Sequence, residues 1–95
     1  MTPNLILSQF AAGLGEEEDS TTATVGNSLY VRYGNDLLIL KITCAFGEAL
    51  GEMEVSFELI HPECGPIDTV SFVLTRSGGF TPALEQLAAY RAIWF

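Results

Sequence analysis

Apolar residues in the opening stretch recur at helical spacing, with Leu5, Ile6, Phe10 and Leu14 forming one stripe. Thr2 and Pro3 stand just ahead of it. A threonine hydroxyl can cap unpaired amides, and a proline at the first helical position forfeits no hydrogen bond. Gly13 and Gly15 bracket a natural stop. The pattern predicts a helix over Pro3–Leu14. At about 12 residues such a helix is marginal alone and needs a surface to dock on.

Glu16, Glu17, Glu18 and Asp19 then break the apolar pattern. Consecutive like charges cannot enter a core without partners, so this run is expected to be a solvated loop.

Beyond it the period drops toward two, and β-branched and aromatic residues gather between short turn signals. The expected strands are Thr21–Val25, Ser28–Tyr33, Asp36–Phe46, Glu52–Ile60 and Ile67–Thr75. Gly26-Asn27 and Gly34-Asn35 are two-residue hairpin links. Gly47–Gly51 and the Pro62, Gly65, Pro66 cluster supply the other breaks. Links this short imply antiparallel neighbours, because parallel pairs need crossovers of about a dozen residues or more. The fourth strand alternates most clearly. Met53, Val55, Phe57 and Leu59 point one way, and Glu52, Glu54, Ser56 and Glu58 the other.

After Ser77-Gly78-Gly79, Thr81-Pro82 repeats the cap-plus-proline signal. Leu84, Leu87, Ala88, Tyr90 and Trp94 continue as an apolar stripe. The expected fold is α+β: a five-stranded antiparallel meander with an N-terminal and a C-terminal helix packed on one face of the sheet.

Composition narrows the function more than the fold. The chain has 95 residues, 48% of them hydrophobic, which suits one domain over 1–95 and excludes an acidic disordered tail. Twelve acidic against four basic side chains give a formal charge of -8. That imbalance argues against direct binding of nucleic-acid phosphates or an anionic membrane. The beginning of the chain shows no signal-peptide pattern, and the apolar run Leu37–Leu40 is far short of the roughly 20 residues that span a bilayer. The expectation is a cytoplasmic protein. Cys44 and Cys64 are too few for a secreted disulfide framework and are expected to be reduced, Cys44 in the core and Cys64 more exposed.

Candidate chemistry is thin. His61-Pro62-Glu63-Cys64 holds the one histidine near a thiol, with Asp68 not far along the chain. A structural zinc site wants four nitrogen or sulfur ligands in paired spacings, and a cysteine nucleophile wants an oriented base and oxyanion donors. Neither pattern is complete. Gly13-Leu14-Gly15 follows a helix rather than opening one, so it is no phosphate cradle. The reading is a non-enzymatic protein without metal or cofactor.

The surface says more. Glu52, Glu54 and Glu58 on one strand face are spaced about 7 and 13 Å apart, roughly every second phosphate of a nucleic-acid strand. Glu16, Glu17, Glu18 and Asp19 add a charged loop, and Glu48 stands at a bounding turn. Trp94 and Phe95 form an aromatic end that either clamps the last helix or serves as a contact patch. These residues are the expected partner-binding set. The partner is expected to be a protein with a basic surface, such as a nucleic-acid-binding complex, which this chain inhibits by mimicking the acid. In size and charge the chain is similar to phage anti-CRISPR proteins.

The leading helix and the strands through Ile42-Thr43-Cys44-Ala45-Phe46-Gly47-Glu48 also resemble the front half of small acidic type III secretion chaperones, over about half the chain. That resemblance implies a homodimer holding an effector segment. The family's central helix between the third and fourth strands has no counterpart in this sequence.

Overall fold

The computed structural model describes residues 2–15, 19–34 and 37–95. Helix α1 spans Pro3–Gly15. Strands β1 (Ser20–Val25), β2 (Ser28–Tyr33), β3 (Ile39–Phe46), β4 (Glu52–His61) and β5 (Gly65–Thr75) follow, and helix α2 spans Thr81–Trp94. The strands form one antiparallel sheet in sequence order, the α+β meander expected from the pattern.

The Thr2 hydroxyl accepts a hydrogen bond from the Leu5 amide at 3.2 Å, so the sequence cap of α1 is in place. At the other end of α1, the Ser20 hydroxyl donates to the Leu14 carbonyl at 2.5 Å and ties the helix to the start of β1. Gly26 has φ of 60° and Asn27 a negative φ, the arrangement of a II′ hairpin turn with glycine first.

Both helices cover the same face of the sheet. α1 lies over β1, β2 and β3. α2 lies toward β4 and β5, where Tyr90 meets Phe57 and Asp68. Leu29, Val31, Leu40, Ile42, Met53, Val55, Phe57 and Leu59 are fully buried beneath the two helices. Phe57 sits at the centre of this core. Its ring packs against Phe10, Phe72 and Tyr90, with centroids 5.9, 5.2 and 5.7 Å away.

Several boundaries differ from expectation. β3 begins at Ile39, whose partner on β2 is Arg32. Of the residues expected ahead of it, Leu37 and Leu38 precede the strand, and Asp36 lies outside the described residues. β5 begins two residues early and includes Pro66, next to a bulge at Leu59/Ile60. Proline is tolerated there because β5 is an edge strand, where a missing N–H costs no ladder bond.

Thr81 does not cap α2. The cap position is Phe80, without a side-chain hydrogen bond, and Phe80's carbonyl accepts from the Ala83 amide at 3.0 Å. Core packing decides the entry point, because the Phe80 ring lies edge-on to Phe10 with centroids 4.9 Å apart. The expected α2 stripe is also displaced. Ala83, Leu87 and Tyr90 are buried, whereas Leu84, Ala88 and Trp94 are exposed. Leu84 and Ala88 line a groove between the helices, beside Phe10, Gly13 and Leu14.

A candidate acidic interaction face

With both helices on one side, the other side of the sheet is left open. The open face of β4 presents Glu52, Glu54, Ser56 and Glu58, while Met53, Val55, Phe57 and Leu59 are buried. The alternation follows from the pleat alone. Glu54 is exposed, and Glu52 and Glu58 are half-buried between neighbouring strands.

Register fixes what surrounds each carboxylate. Glu54 stands between Ala45 on β3 and Val73 on β5, and Glu52 faces Thr75. Ser56 stands between Thr43 and Ser71, and its hydroxyl lies 2.9 Å from that of Ser71. Glu58 is directly opposite Lys41. The Lys41 ammonium also lies 5.9 Å from the centroid of the Tyr30 ring. Arg32 is farther across the same face, on β2. The face is therefore polarised, with carboxylates along β4 and cations toward β2. The Lys41–Glu58 pairing has no signal in the sequence, because it depends on the register between strands.

The remaining expected residues fall elsewhere. Glu48 is exposed in the β3–β4 turn. It lines a depression of about 610 Å³ with Phe46, Leu50, Glu52 and Arg76. Phe46 and Leu50 there are 70% and 106% exposed, apolar surface that the sequence reading did not single out. The turn glycines Gly47 and Gly51 were the available signal. The link is a turn, without a helix between β3 and β4.

Asp19 stands at the start of β1, where its carboxylate is 3.5 Å from the Arg91 guanidinium. That guanidinium also lies 4.4 Å from the Tyr33 ring centroid. Asp19 is thus engaged with the far end of α2 rather than aligned with the β4 row. Glu16, Glu17 and Glu18 lie outside the described residues. The two terminal aromatics divide. Phe95 packs on the core, its ring 4.7 Å from Tyr33, and its amide donates to the Arg91 carbonyl at 2.8 Å. Trp94 stays 36% exposed.

The His61–Cys64 segment forms a self-bonded turn. His61 Nδ1 accepts hydrogen bonds from the amides of Glu63 and Cys64 at 3.1 and 3.2 Å. The lone pair that would serve as a base at that nitrogen is taken by the backbone. Cys64 is exposed and Cys44 buried, both free. Burial pushes the Cys44 thiol up to about 11, away from the thiolate a nucleophile needs. Asp68 accepts from the Tyr90 hydroxyl at 2.7 Å and sits on the helix side of β5. Among the described residues no group of three or more His, Cys, Asp or Glu side chains is placed to hold a metal ion. No described helix is long and apolar enough to cross a membrane. Comparison with protein-family models, curated proteins and solved structures finds no match to this chain.

Proposed function

We propose that this protein acts by binding, and that the open sheet face enters a basic groove on a partner protein that otherwise holds a nucleic-acid backbone. One observation carries the reading: Glu52, Glu54 and Glu58 stand in line on β4, on the face that neither helix covers. A central strand held on both sides by β3 and β5 keeps that row fixed before binding, so little ordering entropy is lost on contact. The formal charge of -8 would speed the encounter with a cationic surface and make the affinity fall with salt. By occupying the groove the protein inhibits its partner. Ser56, Thr43 and Ser71 beside the row offer hydroxyls for polar contacts within the same footprint.

The test is affinity capture from the source cell at low and high salt, followed by competition with an oligonucleotide. The proposal expects a basic partner that salt and the oligonucleotide both displace. Reversing Glu52, Glu54 and Glu58 to lysine should abolish capture while the circular dichroism spectrum is unchanged. Capture that survives the reversal with its salt dependence intact would overturn the proposal.

A further inference from the structure

The open face carries two signs of charge. Arg32 stands on β2 between Thr21 and Ile39, and in the next cross-strand row Lys41 stands between Tyr30 and Glu58. The two cations differ in what answers them. Lys41 has Glu58 opposite and the Tyr30 ring beside it. Arg32 is exposed, and its guanidinium forms no hydrogen bond or ion pair with any described residue. It borders a depression of about 380 Å³ lined also by Thr21, Ala23, Val25, Tyr30 and Ile39. No described carboxylate lines that depression.

Distance makes Arg32 a separate charge and not a gap in the acidic row. It is two strand spacings, about 10 Å, from the line of β4, and Glu54 and Glu52 lie farther off along that strand. Screening in physiological salt acts over about 8 Å. A partner therefore meets carboxylates over β4 and a cation over β2. A nucleic-acid strand has no such feature, because every phosphate is negative. A groove that is basic throughout would hold Arg32 against like charge.

We infer that the partner's basic groove is bordered on one side by a carboxylate, and that this carboxylate seats on Arg32 in the depression beside Tyr30. The inference rests on the proposed function and sharpens it. The partner surface is two-signed, with cations over β4 and an acidic side chain over β2, and that pattern fixes which way round it docks. A guanidinium offers parallel N–H donors that match a carboxylate in two bonds at once. The Tyr30 ring and the Ile39 side chain beside it lower the local dielectric, which strengthens such a pair. Thr21, opposite Arg32, adds a hydroxyl at the rim.

Charge reversal tests this by the sign of its effect. Arg32→Glu makes the chain two charges more negative, so a groove basic throughout would bind it more tightly. With the partner captured at low salt, the expected result is the opposite: affinity falls about tenfold or more, and Arg32→Gln lies between. Arg32 is exposed, so circular dichroism should show an unchanged fold in both variants. A defined probe needs no partner. An acetylated tetra-arginine peptide, and the same peptide extended by two glycines and three aspartates, are titrated into the isotope-labelled chain at equal ionic strength. Both should shift β4 amides, and only the extended peptide should shift those of Thr21, Tyr30 and Arg32. Capture unchanged or tightened by Arg32→Glu overturns the inference. So do equal shifts at those three amides from tetra-arginine or from sodium phosphate, or no shift there from the extended peptide. The proposed function survives these outcomes as long as reversing Glu52, Glu54 and Glu58 still abolishes capture. If nothing is captured, or capture survives that reversal, both fail together.

Discussion

The Tyr90 hydroxyl donates to Asp68 Oδ2 at 2.7 Å, joining residues 22 positions apart and fixing α2 against the outer strand of the sheet. Asp68 is the one charged residue of β5, and the bond gives its carboxylate a partner on the helix side of the sheet. A hydrogen bond to a charged acceptor contributes about 1.5–3 kcal/mol. Tyr90→Phe should therefore lower the urea midpoint by the equivalent of roughly 2 kcal/mol with an unchanged slope. Asp68→Asn should cost less, since the amide oxygen still accepts. Equal midpoints for Tyr90→Phe and the unmodified protein would show that α2 is held by packing alone.

Stability should fall steeply in alkali. Burial raises the Cys44 thiol from 9.0 to about 11. It also raises the Tyr90 phenol above its ordinary 10.0, helped by the bond to Asp68 and by the negative charge of Asp68 and Glu58. Above pH 9 the unfolded chain releases these protons first and binds fewer than the native state, so stability drops as pH rises. Below pH 9 neither group contributes a slope. The Cys44 part amounts to about 2–3 kcal/mol by pH 11. Cys44→Ala should flatten the fall between pH 9 and 11 in urea titrations, and an unaltered slope would contradict the burial of that thiol.

Phe57 is the hub of the ring cluster and has no exposure to solvent. Phe57→Ala should cost about 3–5 kcal/mol, a large share of the roughly 5–15 kcal/mol that holds a domain together. Phe72→Ala removes a half-buried ring and should cost less. Thermal unfolding followed by circular dichroism would rank the two, and the opposite order would mean that α2 seals β5 more completely than the structure shows.

His61 acts on its own turn. Its Nδ1 accepts hydrogen bonds from the amides of both Glu63 and Cys64. His61→Ala should speed amide exchange at Glu63 and Cys64 by about tenfold, the effect of losing roughly 1.4 kcal/mol of local stability, with little change in the melting temperature. Unchanged exchange at both amides would mean that the turn is set by Pro62 and Gly65 without the ring.

Elements and their order were readable because they depend on nearest neighbours in the chain. Thr2-Pro3, Gly26-Asn27 and the Met53-to-Leu59 alternation each specify local backbone geometry and one buried face. Thr81 shows the limit of that logic. Its hydroxyl was a suitable cap, yet the Phe80–Phe10 ring contact set the helix start one residue earlier. The glutamate row could be located from spacing alone, but Lys41 opposite Glu58 could not, because cross-strand register is a property of two segments together.

By itself the sequence determined an acidic meander flanked by two helices, since periodicity, turn residues and composition are local quantities. Only the tertiary structure decided that Asp19 turns to Arg91, that the Phe80 ring meets Phe10 at the entry to α2, and that Phe95 settles on Tyr33 while Trp94 stays exposed. Those outcomes depend on which surfaces meet across the core, and long-range packing fixes that after local geometry has limited the choices.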